Sequence, residues 1–300
     1  MKKILAILLA ASMTAVFGAC SSGGGAASSE ASEPASSEAA PESSEAEAPE
    51  SSEASSEESE APADNGNMPT VEKIKEKGEL VMLTNAAFPP FEYVDGSEIT
   101  GVDVEIAQAI ADELGVKLTV TNMDFDPIID YIKTGKGDLG IAGITANEER
   151  EKAVDFSTSY ITTTQYMILP AGVDGASFDP NGKIIGVQQG TTGDNYYASD
   201  PEVMQPKEVK RYKSAVDAAA DMALGRVDCV IIDEMPAKAI VANNPDKMQA
   251  YDPGYDKESY SIAMMKGNDS LKQVVDSVLQ KLADEGKIEE MIVKHTSNQQ

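Results

Sequence analysis

The chain carries few side chains that could do covalent or metal chemistry. It has two cysteines, Cys20 and Cys229, and a single histidine, His295. It contains no HExxH motif and no neighbouring Cys–His pair, and its acidic residues are spread out as on solvated faces. Cys229 sits in an apolar run and is expected to be a buried small hydrophobe, and His295 is expected to be solvated at a helix end. We therefore expect no catalytic residue, no metal and no cofactor.

The charge of the chain argues against one class of partner. The formal net charge is -27, and residues 21–67 hold eleven Glu and one Asp with no Lys or Arg. The rest of the chain is acidic as well. Such a protein is repelled by the phosphates of DNA and RNA, so nucleic acid is not an expected partner.

The N-terminus has the pattern of an export signal. Two lysines precede an uncharged apolar stretch, residues 4–17, which is too short to span a membrane. The segment ends in Phe-Gly-Ala-Cys at Cys20, which resembles a bacterial lipobox although Phe17 stands where Leu is usual. We expect residues 1–19 to be a signal peptide and Cys20 to become a lipid-bearing N-terminus, with palmitate among its lipids. A plain cleaved signal is the alternative.

Residues 20–67 have the composition of a linker. They are almost wholly Ser, Ala, Glu, Pro and Gly, with no aromatic residue and no Val, Ile or Leu. Such a segment cannot bury enough apolar area to offset its chain entropy, so we expect it to be disordered. With a lipid at its start, it would hold the folded part off the extracellular face of a cell membrane. A tether of this length resembles those of single-membrane bacteria.

From residue 79 onward, short apolar runs alternate with helical periodicity, which predicts two similar α/β units with parallel sheets. The predicted strands are 80–83, 117–120 and 139–142 in the first unit and 184–187, 209–212 and 230–232 in the second. Each unit has a Gly-Lys/Arg-x-Asp step before a buried strand, at 135–138 and 225–228. A long helix, 271–283, and a short one, 287–294, are expected at the end. Two such lobes can hold a ligand between the carboxyl ends of their strands.

Six motifs occur in order along this region. They are Asn85-Ala86-Ala87-Phe88-Pro89-Pro90-Phe91-Glu92; Gly101-Val102-Asp103-Val104-Glu105; Ala142-Gly143-Ile144-Thr145 with Glu149-Arg150; Val154-Asp155-Phe156-Ser157; Val187-Gln188-Gln189-Gly190-Thr191-Thr192; and Gly225-Arg226-Val227-Asp228 with Asp233. Together they resemble the bacterial extracellular solute-binding proteins of family 3, the polar amino acid binders of ABC importers. The resemblance runs from about residue 78 to residue 295.

The resemblance implies an α/β fold of the type II periplasmic-binding-protein-like class. In that fold two lobes, each a sheet flanked by helices, are joined by two crossover hinge strands. The crossovers are expected near 161–166 and 254–260. Lobe one would then be 68–162 plus 258–300, and lobe two would be 163–257.

Arg150 and Asp233 are the charged residues that the resemblance assigns to a free amino acid ligand. Arg150 matches the family arginine that grips the ligand carboxylate, a role that suits the always-ionised guanidinium fork. Asp233 matches the carboxylate that takes the ligand ammonium. The alternatives stay open: Arg150 could be a surface residue paired along its helix, and Asp233 could cap a helix that opens at Pro236.

Four further positions match contacts to the charged end of the ligand. Gly143 and Thr145 would supply a backbone and a hydroxyl contact from lobe one. Thr191 and Thr192 would aim backbone N–H groups at the ligand carboxylate from a helix N-terminus in lobe two. Their alternative is a role in the turn alone. A ligand that touches both lobes would drive them to close.

The remaining matched positions concern the ligand side chain. Phe88 and Phe125 match aromatic residues that sandwich it, with simple core packing as the alternative. Asn85 stands where binders of cationic or amide side chains in the family often carry Asp, and Gln188 is a second neutral specificity position. Because a buried cation without a partner is costly, we expect a polar or neutral amino acid such as glutamine, or cystine, in preference to a basic one.

The expected partners are an ABC importer permease with its ATPase subunits, and the protein is expected to be a monomer. Two rival functions remain: a ligand-sensing receptor module, and a dehydratase-type enzyme on the same scaffold with Glu92 as its candidate acid. The first would need a spanning helix and a signalling domain, and the second would need more catalytic groups than the sequence offers.

Overall fold

A computed structural model of the chain describes residues 68–297. The expected signal peptide, the lipid-bearing Cys20 and the linker at 20–67 therefore lie outside the described residues. Within 68–297, no helix is long and apolar enough to cross a membrane.

The described chain alternates strands with helices. The strands are β1 Glu79–Thr84, β2 Ala87–Phe88, β3 Glu92–Asp95, β4 Glu98–Thr100, β5 Lys117–Asn122, β6 Leu139–Gly140, β7 Val154–Phe156, β8 Ile161–Pro170, β9 Ile184–Gln188, β10 Glu208–Tyr212, β11 Cys229–Asp233, β12 Met248–Tyr251, β13 Lys257–Tyr260 and β14 Ala263–Met265. The α-helices are α1 Val71–Lys77, α2 Val102–Leu114, α3 Ile128–Lys133, α4 Glu148–Glu151, α5 Ala215–Ala223, α6 Glu234–Ala242, α7 Asp269–Asp284 and α8 Lys287–Ser297. A 3₁₀-helix spans Gly175–Ser177 and a π-helix spans Gly193–Ala198.

The first sheet has the strand order β5-β1-β6-β14-β7. Strands β1, β5 and β6 run parallel, as their apolar runs predicted, and β14 joins from the end of the chain in antiparallel pairing. Helix α2 covers this sheet with its periodic apolar face, on which Ile106 and Ile110 are fully buried. A separate three-stranded sheet, β2-β3-β4, was not predicted, because its short strands have no apolar run.

The second sheet has the order β10-β9-β11-β8-β12. Strands β9, β10 and β11 are parallel, and β8 pairs antiparallel with β11 and β12. Strand β11 is buried at every position, including Cys229. Such a strand reads as a continuous apolar run, which is why it was recognised in the sequence.

Two chain segments connect the sheets. Strand β8 leads from β7 into the second sheet, and β13 leads back toward β14 of the first. The two strands pair antiparallel, with Lys257 opposite Thr164 and Tyr260 opposite Ile161. These crossovers lie where the expected segments 161–166 and 254–260 fall. The lobe bounds drawn from them, 68–162 plus 258–300 and 163–257, stay a prediction.

The expectation of a solvated His295 was wrong. Its side chain is only 1% exposed, with Nδ1 3.0 Å from the Tyr93 hydroxyl and Nε2 2.6 Å from a Glu105 carboxylate oxygen. The reason is that α8 runs to Ser297, further than the expected 294, and packs against α2. This last helix turn is therefore part of the folded body.

Candidate ligand-binding site

One cavity brings together all ten residues that the sequence suggested for a site. The empty space between its lining atoms, part of it open to solvent, is about 320 Å³. Two residues outside the predicted set, Glu92 and Ala142, also line it. The predicted residues are Asn85, Phe88, Phe125, Gly143, Thr145, Arg150, Gln188, Thr191, Thr192 and Asp233.

The cavity lies at the carboxyl ends of parallel strands from both sheets. Asn85 directly follows β1, and Gly143 and Thr145 follow β6. On the other side Gln188 ends β9 and Asp233 ends β11. Because parallel strands end at the same edge of a sheet, both sheets aim these residues at one space, which is the site geometry of open α/β sheets.

Arg150 ties the two sides of the cavity together. Its helix α4 starts at the cap residue Asn147, whose side chain accepts the Arg150 backbone N–H at 2.9 Å. The guanidinium donates to the carbonyl of Thr145 at 2.7 Å and to that of Gly190 at 2.9 Å. These contacts use two of the five N–H groups of the guanidinium among the described residues. Arg150 is thus a cavity residue rather than a surface helix residue.

The electrostatic setting of Arg150 suits an anionic ligand group. Burial lowers the pKa of the guanidinium, and the nearby Tyr196, Glu258 and Asp233 oppose that shift. The guanidinium also lies 5.5 Å from the centre of the Phe125 ring. A partly buried guanidinium with free N–H groups can make two parallel charge-assisted bonds to a carboxylate.

Asp233 is the opposite charge in the cavity. It is 5% exposed, and its Oδ1 atom has no hydrogen-bond partner within residues 68–297. It holds the N-cap position of α6 but makes no capping hydrogen bond, and that helix begins at Glu234 rather than at Pro236 as expected. Capping therefore does not explain this side chain. An unpaired buried acceptor is costly, so a donor brought by a ligand would stabilise this oxygen.

Burial raises the pKa of the Asp233 carboxyl to about 7, and the Glu258 carboxylate adds to the rise. The polar groups of Tyr260 and Gln165 beside it act in the opposite direction. Asp233 can therefore change its charge near neutral pH. A cation placed beside it would favour the ionised form.

The threonine turn after β9 has a structural as well as a lining role. The Thr191 hydroxyl donates to the Gln188 carbonyl at 2.8 Å and accepts the Asp194 backbone N–H at 3.3 Å. Thr192 is the N-cap of the π-helix Gly193–Ala198 and makes no side-chain capping bond. The Thr191 hydroxyl is thus hydrogen-bonded within the turn, whereas the Thr192 hydroxyl donates to Glu258 outside it.

The aromatic and glycine positions fit each other closely. Phe88 packs with ring centres 5.9 Å from Phe91 and 6.3 Å from Tyr260, so it belongs to the core while it lines the cavity. Gly143 has φ +55°, and a Cβ atom there would lie 2.5 Å from the Phe88 ring. Only glycine allows the backbone this close to the aromatic wall.

Asn85 and Gln188 join the two sides of the cavity through neutral groups. Gln188 Nε2 donates to Asn85 Oδ1 at 3.0 Å and to the Lys213 carbonyl at 3.2 Å, and Asn85 Nδ2 donates to the Met123 carbonyl at 2.7 Å. Both side chains are buried. The two amides therefore largely satisfy each other without a ligand.

Glu92 is a cavity residue whose part in a site the sequence left open. It is fully buried at the start of β3, where the carboxyl group of Asp103 is its polar neighbour. Burial raises the pKa of Glu92 well above its usual value, and the neighbouring Asp103 raises it further. Asp103 accepts bonds from the Gly143 N–H at 3.0 Å and the Tyr160 hydroxyl at 2.9 Å.

Glu258 was missed entirely. It lies on the crossover strand β13, and its Oε2 atom accepts the hydroxyls of Thr145 at 2.8 Å and Thr192 at 2.7 Å. A signal was available: side chains alternate along a strand, so Glu258 shares a face with the buried Tyr260 two residues on.

Known proteins match this chain in sequence and in fold. The family model of the bacterial extracellular solute-binding proteins, family 3, matches residues 80–298. The chain belongs to this family. Because the family is one of solute-binding proteins, the expectation of a binding protein rather than an enzyme is confirmed.

Similar members of family 3 differ in what their names say they bind. The L-cystine-binding protein TcyJ of Escherichia coli is 27% identical over 236 residues, covering 77% of this chain and 86% of its own length. The arginine-binding extracellular protein ArtP of Bacillus subtilis is 31% identical over 219 residues, covering 72% and 85%. A crystal structure of a mutant of ArgBP from T. maritima has a TM-score of 0.70 and 36% identity, covering 76% of this chain and 99% of that one. The predicted type II fold is confirmed by this likeness.

Proposed function

We propose that this family 3 protein captures a free amino acid between two closing lobes and delivers it to the permease of an ABC importer, which its ATPase subunits drive. The observation that carries the proposal is the pairing of Arg150 and Asp233 in one cavity, Arg150 from helix α4 between β6 and β7 of the first sheet and Asp233 from the end of β11 in the second. A free amino acid offers a carboxylate and an ammonium at fixed separation. The cavity offers the matching cation and anion.

Each charged residue has hydrogen-bonding capacity left for the ligand. Arg150 keeps N–H groups free for a carboxylate, and Asp233 keeps Oδ1 free for an ammonium. The two lobes that would close around the ligand have the proposed bounds 68–162 plus 258–300 and 163–257. Since the ligand gains all its contacts only when both lobes surround it, binding would favour the closed arrangement.

For the ligand side chain, we propose a polar or neutral group, with glutamine or cystine preferred over a basic amino acid. The support is the neutral pair of Asn85 and Gln188, which offers amides and no counter-charge. The name of TcyJ, a relative that binds L-cystine, fits the same preference.

One observation favours a basic ligand as the second candidate. Glu92 is fully buried at the cavity beside the carboxyl group of Asp103, and a guanidinium or ammonium side chain could pair with these two acidic groups. The names of ArtP and of ArgBP, the latter from the structural comparison, point to arginine in those relatives. The charge state that Glu92 adopts with ligand bound decides between the two candidates.

Calorimetric titration with L-glutamine, L-cystine, L-histidine and L-arginine tests both levels of the proposal. Amino acid binding requires heat with at least one of the four, and loss of that heat in Arg150→Met but not in Arg226→Met, whose side chain is exposed. Tight arginine binding with no glutamine or cystine heat would reject the neutral preference and support the basic candidate. Mass spectrometry of ligand that co-purifies with the protein gives an independent identification.

The site of action is proposed from the sequence alone. A lipid on Cys20 would hold the protein, as a monomer, on the outer face of the cell membrane. Labelled palmitate should be incorporated by the full chain and not by Cys20→Ala, and that variant should appear in the medium. Labelling that survives the substitution would contradict the anchor without touching the binding proposal.

A further inference from the structure

Glu258 joins two threonines from opposite sides of the cavity. It lies on the crossover strand β13, and its Oε2 atom accepts the Thr145 hydroxyl at 2.8 Å and the Thr192 hydroxyl at 2.7 Å. Thr145 follows β6 of the first sheet, and Thr192 follows β9 of the second. Both threonines line the cavity, whereas Glu258 contacts them without lining it.

These two bonds fix the direction of each hydroxyl group. A hydroxyl has one hydrogen to donate and two lone pairs that accept, whereas a carboxylate oxygen only accepts. Thr145 and Thr192 therefore both donate their hydroxyl hydrogens to Glu258. Thr192 also accepts from Gln165 Nε2 at 3.1 Å. What both hydroxyl oxygens have left for a ligand is lone pairs.

Acceptors outnumber donors around these hydroxyls. Asp233 Oδ1, Gln165 Oε1 and Glu258 Oε1 are buried and have no hydrogen-bond partner within residues 68–297, and the Tyr260 hydroxyl beside Asp233 is an unpaired donor that could serve only one of the three. Their strands are neighbours, because β8 pairs with both β11 and β13. Unpaired buried acceptors are costly. An ammonium group has three N–H donors and a positive charge, which is what this part of the cavity lacks.

We propose that Glu258 is a positioning residue for the ligand ammonium group, because it turns the Thr145 and Thr192 hydroxyls into acceptors. The proposal rests on the proposed function, since it concerns the α-amino end of the same ligand. Asp233 contacts the ammonium directly, and Glu258 acts through the threonines. Its position on a crossover strand also brings the two hydroxyls together when the lobes close.

The consequence is selectivity for an α-ammonium over an α-hydroxyl group. An α-hydroxy acid has one donor where the amino acid has three, so it leaves acceptors around Thr145 unpaired. Without a carboxylate at 258, the threonine hydroxyls are free to rotate and donate to the ligand oxygen. The preference for the amino acid should then shrink even if binding itself persists.

The test compares two ligands on four proteins by calorimetric titration. The ligands are whichever of L-arginine, L-glutamine, L-histidine and L-cystine binds tightest and its α-hydroxy-acid counterpart. The proteins are the wild type, Glu258→Met, Glu258→Gln and the control Asp256→Asn, which removes an exposed carboxylate from the segment just before β13. We expect the ratio of the two dissociation constants to fall at least about tenfold in Glu258→Met, less in Glu258→Gln because an amide oxygen still accepts, and not in Asp256→Asn.

A second variant covers the case in which Glu258→Met does not fold. Thr145→Val removes the oxygen that faces the ammonium, so it should lower the same ratio about tenfold. If the wild type binds and the ratio is unchanged in the folded variants, Glu258 has only a structural role and the inference is wrong while the proposed function stands. If none of the four amino acids binds the wild type, the proposed function itself fails, and this inference with it.

Discussion

Two groups of cavity residues differ in how far they are satisfied without a ligand. The ionic group, Arg150, Asp233 and Glu258, keeps free N–H donors on one side and unpaired acceptor oxygens on the other. The amide group, Asn85 and Gln188, bonds to itself and to backbone carbonyls. Both groups bridge the two sheets. Only the ionic group has bonding capacity that calls for an outside partner.

We infer from this difference that affinity for a ligand and selectivity among ligands depend on different residues. Unpaired charged groups gain most when a zwitterion arrives, because each new bond removes a desolvation cost already present. The amide pair gains little from a ligand that merely replaces its mutual bonds. Affinity should therefore depend mainly on the ionic group, and choice among amino acids on the amide group and Glu92.

The largest expected effect comes from removing the cation of the ionic group. Arg150→Met keeps the apolar length of the side chain and removes the bonds to the Thr145 and Gly190 carbonyls and the ligand contact. Breaking a buried charge pair costs about 3–5 kcal/mol, so affinity for the bound amino acid should fall about 150- to 5,000-fold. Titration calorimetry measures it. A loss below tenfold would contradict the ranking of the two groups, and Arg226→Met, on an exposed arginine, should leave affinity unchanged.

The next effect is a pH dependence set by Asp233. Its pKa is raised to about 7 by burial and by Glu258, while an ammonium ligand needs the ionised form. Binding is therefore strongest above pH 7 and weakens as the pH falls, because the Asp233 carboxyl must lose its proton before it can pair with the ligand ammonium. At pH 5 the dissociation constant should be about 100-fold higher than at pH 8.

The matched variant for this pH profile is Asp233→Asn. It should bind weakly at every pH and lose most of the slope between pH 5 and pH 8. Glu92 and Asp103 also have raised pKa values at the cavity, so a slope that survives in Asp233→Asn would assign the titration to that pair instead.

Part of this site could be predicted from the sequence, and the missing part has a physical cause. The resemblance to family 3 assigned Arg150 and Asp233 to the site, through motifs that come after buried strands. Glu258 follows no apolar run and belongs to none of those motifs, and its short crossover strand pairs with β8. Its role depends on two hydroxyls that meet only in the folded chain, one from each sheet.

The same contrast applies to the fold. The parallel strands of both sheets and helix α2 were predicted because a strand buried on both faces, or a helix with one apolar face, repeats a local pattern. The sheet β2-β3-β4 and the burial of His295 depend on contacts between distant segments, such as α8 with Glu105. A local sequence pattern does not predict such contacts.

A smaller effect should appear when the amide group is given a charge. Asn85→Asp puts a carboxylate where the neutral amide now accepts from Gln188. An added counter-charge in a buried site should move selectivity toward arginine over glutamine by about tenfold. Competition titrations with the two amino acids measure the ratio. Glu92→Gln removes a carboxyl from the same cavity and should lower the selectivity for arginine over glutamine. If both variants shift that selectivity in the same direction, the charge of these residues does not determine it.

The smallest effect concerns the ligand-free protein and tests whether the amide pair holds the two sheets together by itself. Gln188→Met removes the bonds to Asn85 and to the Lys213 carbonyl while keeping similar volume. A neutral hydrogen bond contributes about 1 kcal/mol, which lowers the melting temperature of a domain this size by about 2–4 °C. Gln273→Met, at an exposed position of α7, is the control for the substitution itself. If ligand-free stability is unchanged while ligand affinity falls, the amides serve the ligand first, and the contrast between the two groups would have to be redrawn.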